Sequence, residues 1–378
     1  MDQNTVVDYL RLINTEGIGP SWFYKYVQKY GSVCEAVKQL SLTKNLFSSK
    51  DAQKELETAF KQNIKIITCE DELYPPLLKE LNDAPPVLYA KGHTELLKYP
   101  ATLSVVGSRN ASVAGRKIAS RIAYDLTNAD VLVISGMARG IDSAAHKGAL
   151  YAQNTKGPTI AVLGTGIDVC YPEENMELYE QIADQGLLIS EFKLGEKANI
   201  SNFPRRNRLV AGLSLGTLVV EASLNSGSLI TARLALEQGK DIFAVPTSPF
   251  ENKAAGCNKL IKEGAVLTEN ADDILQTLAL TQTHTLKISQ KATLAPKSLD
   301  FEKKEVIMQK TKSADKENGD ILQTIGASGI EQDELIRHLN MQTSAALVKI
   351  TELELEGVLV KQNGSFLMLT KEGLEQIK

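Results

Sequence analysis

Thr102-Leu-Ser-Val-Val-Gly107-Ser-Arg-Asn-Ala-Ser-Val-Ala-Gly115 decides how this chain folds. A short apolar run leads into small and polar residues, and a helical pattern follows. That order reads as a buried strand, a tight turn and the start of a helix. The same unit recurs downstream. Apolar runs at Val131–Ser135, Thr159–Leu163, Leu187–Ser190, Thr217–Glu221, Ile242–Val245 and Ala265–Thr268 alternate with helical patterns across 101–280. Strands that are apolar almost throughout are buried on both faces, which requires a parallel sheet covered by helices. The expected fold is α/β, an extended Rossmann-like doubly wound sheet.

Ligands in this class bind beyond the carboxyl ends of the strands. The loops that fall there are Gly107-Ser108-Arg109, Gly136-Met-Ala-Arg139-Gly140-Ile-Asp142, Gly164-Thr-Gly-Ile-Asp168 and Glu191. The first is not the G-x-G-x-x-G dinucleotide fingerprint. Its small residues still let an anion approach the backbone and the helix N-terminus, and Arg109 adds a fork donor suited to phosphate. Arg139 either faces the ligand or pairs with an acid. Asp142 is expected to cap the next helix, with His146 a packed residue one turn on. Tyr171 stacks on a base or fills the core of its loop. Gly227, Ser228 and Thr231 open a further helix; they read as donors to an anion, with plain capping as the alternative.

Phe203-Pro-Arg-Arg-Asn-Arg-Leu-Val-Ala-Gly-Leu-Ser214 breaks a local rule. Proline suits the first position of a helix, so Arg205, Arg206 and Arg208 are expected in or near the first turn. The positive pole of the helix disfavours cations there by roughly 0.3–1 kcal/mol each. Two arrangements repair this: an external anion shared by the guanidinium groups and the free N–H groups, or internal carboxylates. The residues leave both open.

The chain has 378 residues, 43% hydrophobic and 23% charged, with a net charge of −4. Two or three domains are expected, and any polyanion site must be a local basic patch on an acidic background. The four cysteines and four histidines are scattered, which gives a zinc site no support. No run approaches about 18 consecutive apolar residues. Met1-Asp-Gln-Asn4 has neither the basic nor the apolar region of a secretory leader, and a soluble, cytoplasmic protein is expected. No G-x-x-x-x-G-K-[ST] loop, H-E-x-x-H or G-x-S-x-G appears, and no cofactor is expected.

Residues 1–80 read as a small helical domain, and 64–100 as a connection punctuated by Pro75-Pro76 and Pro85-Pro86, with Ile64–Thr68 as its candidate strand. Gly17-Ile-Gly-Pro20 resembles the hairpin of a helix-hairpin-helix (SAM-like) element. Residues 81–280 form the Rossmann-like domain. The stretch 281–318, with eight lysines against five acidic residues, reads as a flexible linker. From 319 to 378 helical patterns precede a hairpin, 358–361 and 365–369, turning near Asn363-Gly364, the order of a winged helix. Its candidate recognition helix, 343–356, carries Lys349 against Glu352, Glu354 and Glu356, a poor surface for phosphate; contact with protein is the favoured reading.

In order, these phrases resemble the DNA processing protein A family, also called DprA or Smf. The resemblance rests on Gly107-Ser-Arg109, Ser135-Gly-Met-Ala-Arg-Gly-Ile-Asp142, Ala145-His146, Gly164-Thr-Gly-Ile-Asp-Val-Cys-Tyr-Pro172 and Ser190-Glu-Phe192. It continues through Phe203-Pro-Arg-Arg-Asn-Arg208, Gly212-Leu-Ser214, Val220-Glu-Ala222, Ser226-Gly-Ser-Leu-Ile-Thr-Ala232 and Asn258 to Ala265. Thr247 stands where the family usually has glycine. The resemblance implies a non-enzymatic protein of bacterial transformation that binds single-stranded DNA, dimerises through the α/β domain and helps load the RecA recombinase. It implies a DNA pocket at Gly107, Ser108, Arg109, Phe203, Arg205, Arg206 and Arg208. The alternative is an enzyme. Gly216-Thr217 to Glu221 loosely resembles the lysine-decarboxylase-like group that cleaves nucleoside monophosphates, with Glu221, Asp168 or Glu191 as the acid, though that group's Pro-Gly-Gly approach is missing.

Overall fold

In the computed structural model the apolar runs lie side by side in one sheet. The structure describes residues 2–152, 158–248 and 255–281, then 322, 324–325, 330–331, 335–337, 346, 349–350, 353, 358–362 and 366–370. These fall into two compact units, one within Met1–Ile288 and one within Ser289–Lys378.

The first unit opens with four helices, α1 (Gln3–Ile13), α2 (Pro20–Tyr30), α3 (Val33–Leu40) and α4 (Ser49–Lys61). Then come β1 (Lys65–Thr68), α5 (Pro76–Lys79), β2 (Val87–Gly92), β3 (Thr102–Val106), α6 (Val113–Asn128), β4 (Leu132–Ser135), α7 (Ile141–Leu150) and β5 (Thr159–Val162). The unit continues with α8 (Met176–Gln185), β6 (Leu187–Ser190), α9 (Asn202–Gly212), β7 (Gly216–Val219), α10 (Gly227–Glu237), β8 (Asp241–Ala244), α11 (Ala255–Lys262), β9 (Val266–Leu267) and α12 (Ala271–Thr281).

The nine strands are ordered β1-β2-β6-β5-β4-β3-β7-β8-β9. From β6 to β9 every pairing is parallel, as burial on both faces demands. The chain walks outward one way from β3 to β6 and the other way from β7 to β9. The order therefore reverses between β3 and β7, and a crevice opens there.

At the far end one strand, β2, runs against the rest, and β1 beyond it turns back to their direction. β2 pairs antiparallel with both β1 and β6. Residues 64–100 read as a connection with one strand at most, because Pro85-Pro86 punctuates them. The prolines precede β2 rather than interrupt it, so its ladder loses no donor. Ile64–Thr68, the candidate strand of that connection, supplies β1 to the main sheet. The core of α1–α4 is continuous with the sheet: Val7, Leu10 and Phe23 cluster with Val87, Tyr89, Ala161 and Leu188.

The second unit has a three-stranded antiparallel sheet, ordered β10 (Ile330–Glu331), β12 (Phe366–Leu369), β11 (Leu359–Gln362). Leu322, Ile325, Leu335, Ile350 and Leu353 pack on it. Where the sequence reads a helical pattern over 331–339, Ile330–Glu331 is a strand and Leu335–Arg337 is helical. Residues 282–318 of the expected linker, the Asn363-Gly364 turn and most of the 343–356 helix lie outside the described residues.

Candidate functional site

α9 carries the arginine cluster, and its far end is fixed to the sheet. Ser104 Oγ donates to the carbonyl of Val210 at 2.5 Å, and Thr102 Oγ1 donates to that of Leu213 at 2.8 Å. Lys240 Nζ donates to Ala211 O and Gly212 O at 2.8 and 2.7 Å, a cation on the negative pole of the helix. Burial pushes the Lys240 ammonium down to about 8.

The near end differs from expectation. The helix begins at Asn202, so Pro204 is its third residue rather than its first. The arginines fall in the second turn, past most of the free N–H groups. At 3.6 residues per turn they then point in separate directions.

Arg206 points inward. It is buried, and its Nη1 donates to the carbonyls of Gly136 and Val162, the ends of the neighbouring strands. A methyl at Gly136 would stand 2.6 Å from this guanidinium, which is why the loop has glycine there. Burial pulls Arg206 down to about 10, opposed by the nearby Asp142 carboxylate. Burial likewise raises Asp142, with Arg206 opposing. Asp142 does not cap α7, whose N-cap is Gly140. It lies within the first turn and accepts from the N–H groups of Gly136 and Ala138 at 3.2 and 3.3 Å, fixing the loop through which Arg206 passes.

Arg208 points elsewhere. It is buried and paired with Glu191, and it reaches the carbonyl of Asp83 at 2.8 Å and the carboxylate at 3.3 Å. Of the two repairs open to the arginines, this one takes the internal carboxylate. Arg205 is about half exposed, 3.9 Å from Glu191 and over the ring of Phe192. Arg139 resolves the same way as Arg208: its side chain is exposed and pairs with Glu174 at 3.1 Å.

A hollow of about 370 Å³ opens at the β3/β7 reversal. Gly107, Ser108 and Arg109 form one wall, Arg206 and Asn207 the floor, and Gly227, Ser228 and Thr231 the opposite wall. Three elements hold it. Ser108 N donates to the Glu221 carbonyl at 2.6 Å, tying the two loops together. Ser112 caps α6 at the Gly115 N–H, 2.9 Å away, and Ser226 caps α10 at the Ser228 N–H, 3.3 Å away. The residues of the α10 start therefore both cap and line. Arg109 is exposed and makes no ion pair among the described residues. Its guanidinium lies 5.0 Å over the ring of Phe203, which in turn stands 5.6 Å from Tyr171. Tyr171 is 45% exposed, so its ring is available rather than spent on the loop core.

The acids offered for catalysis are occupied. Glu221 is buried and accepts from Ser112 Oγ at 2.7 Å and Ser112 N at 3.0 Å. Asp168 accepts from Gly195 N at 2.8 Å, and Glu191 holds Arg208. His146 is buried with Nδ1 2.7 Å from Thr159 Oγ1. At the departure from the family pattern, Asn258 grips the backbone of Thr247 on both sides, accepting from its N–H at 3.1 Å and donating to its carbonyl at 2.9 Å. Among the described residues no helix is long and apolar enough to cross a membrane.

Asn207 and Ser226 line the hollow without having been singled out. The signal was present in the sequence: both adjoin expected site residues, and Ser226 is the cap that starts α10.

Comparison with known proteins places this architecture. The DNA processing protein DprA of Streptococcus pneumoniae is 46% identical over 205 residues, 54% of this chain and 71% of that protein. Protein Smf of Escherichia coli is 43% identical over 218 residues, 57% of each chain. The X-ray structure of the pneumococcal protein superposes with a TM-score of 0.63 at 35% identity, covering 71% of this chain and 97% of that one. A structure of DNA processing protein A from Helicobacter pylori, described for its single-stranded DNA binding mode, gives 0.52 at 30% identity over 57% of this chain and 97% of that one. A DprA winged helix domain model matches residues 308–365. The model of the DNA recombination-mediator protein A family matches residues 65–279, more than half of the sequence, and the chain belongs to that family.

Proposed function

We propose that this chain binds single-stranded DNA in the hollow at the β3/β7 reversal, and that it acts by binding rather than by catalysis. One observation carries the reading. Arg109, a fork donor without an internal acid, stands at the mouth of a hollow walled by a glycine loop and a helix start. Phosphate oxygens are held by Arg109, by N–H groups of the Gly107–Ser108 loop and by the Gly227, Ser228 and Thr231 donors. Arg206 supplies fixed positive charge from the floor, Phe203 or Tyr171 meets a base face, and Arg205 reaches the flanking backbone. Arg208 and Arg139 drop out of the contact set because carboxylates already hold them.

Contacts of this kind carry no base code, so binding is sequence-tolerant. A hollow this small takes only a few nucleotides, and two subunits on one strand gain avidity. We place the homodimer contact on the Rossmann-like unit at the outer edge, where β9 ends the sheet beside a groove of about 490 Å³ between α10 and α11, lined by both apolar and charged side chains. Protection of incoming strands and loading of a RecA recombinase, in the cytoplasm, complete the reading. The relatives named DNA processing protein and the strand-binding structure of the H. pylori protein support it.

The test is a titration of labelled oligo-dT and the matching duplex against the full chain across a salt series. Preferred binding of the single strand is expected, with a log–log salt slope of about −0.7 per phosphate contacted. Equal affinity for both forms, or none for either at low salt, would overturn it.

A further inference from the structure

A second basic hollow lies outside the site described above. α6 and α7 pack against one another, and between them runs an open groove of about 660 Å³. Arg116, Lys117 and Arg121 line it from α6 and Lys147 from the last turn of α7, with Tyr124 and Tyr151 at its sides. Asp125, the carboxylate beside it, is taken by Arg121 at 2.7 Å. Arg116 donates to the Ala111 carbonyl at 2.5 Å and keeps its charge exposed. Lys117 and Lys147 are exposed and make no ion pair among the described residues. Tyr151 is 72% exposed. On a chain of net charge −4, four cations against one engaged acid in a single groove make a local field that selects polyanions.

The groove is not isolated. Gly140 lines it, and the backbone of Gly140 touches the backbone of the first site. Its φ is +79°, and a methyl there would stand 2.2 Å from the carbonyl oxygen of Ser108 and 2.7 Å from that of Arg109. Only glycine fits. The groove therefore begins where the Gly107–Arg109 loop ends, on the solvent side of the α6 start. From Gly140 the groove runs along α6 and α7, lined in turn by Arg116, Lys117, Arg121 and Lys147.

We propose that the α6/α7 groove is an extension site for single-stranded DNA, taking the phosphates that run on from the Arg109 hollow. This rests on the strand-binding reading of that hollow. Exposed lysines on two different helices track a flexible backbone, and the tyrosines offer faces to unstacked bases. The first site sets where the strand is gripped; the groove sets how many more nucleotides are held per subunit.

The test pairs a short oligo-dT that fills only the first hollow with one about three times longer. The variant is Lys117→Ala with Lys147→Ala, two exposed side chains whose loss leaves the fold intact, checked by an unchanged melting curve. The short strand is expected to bind variant and parent alike. The long strand should lose roughly tenfold in affinity at low salt, and its log–log slope should flatten by about 1.4, two phosphates' worth. Arg109→Ala is expected to weaken both lengths. If the long strand binds variant and parent equally, or if both lengths weaken to the same degree, the groove is not an extension of the site. If the parent binds neither length, the strand-binding reading itself has failed and takes this inference with it.

Discussion

Arg109 lies with its guanidinium 5.0 Å over the centroid of the Phe203 ring, joining the loop after β3 to the first turn of α9. The contact contributes about 0.5–1 kcal/mol at an exposed position. It holds the free cation of the hollow over an aromatic face, so charge and stacking surface reach a strand together.

That pairing makes Phe203 separable from Arg109. Phe203→Leu keeps apolar bulk and removes the π-face. Its affinity for oligo-dT should fall by about 1–3 kcal/mol, with the salt slope unchanged because no phosphate contact is lost. Arg109→Ala should flatten the slope by about 0.7. Fluorescence anisotropy across salt reads both, and a Phe203→Leu protein that binds like the parent would refute base stacking at this ring.

Arg205 and Arg206 are adjacent in sequence and should behave differently. Arg205→Ala removes a half-exposed side chain; it should leave the urea midpoint in place and flatten the salt slope by about 0.7. Arg206→Ala leaves the Gly136 and Val162 carbonyls and the buried Asp142 without their cation, a loss of about 3–5 kcal/mol of stability. Equal melting temperatures for the two variants would contradict this division.

Arg208→Ala should likewise destabilise by about 3–5 kcal/mol, because it strands a buried Glu191. Arg208→Ala with Glu191→Leu removes both charges and should recover part of the loss. Either protein, once folded, is expected to keep the parent's salt slope for oligo-dT. A flatter slope in the folded double variant would return Arg208 to the DNA contacts.

His146 makes the fold sensitive to acid. Thr159 Oγ1 donates its proton to the Val133 carbonyl, so Nδ1–H donates to Thr159 and the buried Nε2 has no partner. Burial and the Arg206 charge push the imidazole down to about 3. Between that value and about 6.5 the unfolded chain binds a proton that the folded chain does not. Stability from this group is therefore full above 6.5 and declines as pH falls toward 3. The buried carboxylates Asp142 and Glu191 are raised and act in the opposite sense, gaining stability as pH falls through their folded values. A difference measurement isolates the histidine: on going from about pH 7 to pH 4.5 the urea midpoint of His146→Leu should fall less, or rise more, than the parent's. Parallel curves would mean that the imidazole is charged in the folded chain.

At the outer edge, Leu236 is 66% exposed and Leu267 48% exposed, beside the last strand of the sheet. An open strand end with an apolar flank invites pairing with a second copy. Leu236→Arg should shift light-scattering mass from dimer toward monomer and weaken binding of strands long enough to bridge two subunits, leaving short-strand affinity alone. A variant with the parent's mass at all concentrations would remove that surface from the dimer contact.

The apolar runs and the residues that end them determined the parallel sheet, and the Gly107–Arg109 loop and the α10 start could be placed at its carboxyl edge from period and composition alone. That follows because burial on both faces of a strand is written locally, residue by residue. β2 stayed hidden because two prolines stand at its door, and nothing local says that an antiparallel strand will find β6. The arginines mark the other limit. Three guanidinium groups within four residues left an anion site and internal pairing both open. Which of them is free depends on a helix that turns each about 100° from the last and on what waits in each direction: the carbonyls at the ends of β4 and β5 for Arg206, Glu191 for Arg208, and mainly solvent for Arg205. Those partners come from segments far apart in sequence, so only the tertiary structure could assign them.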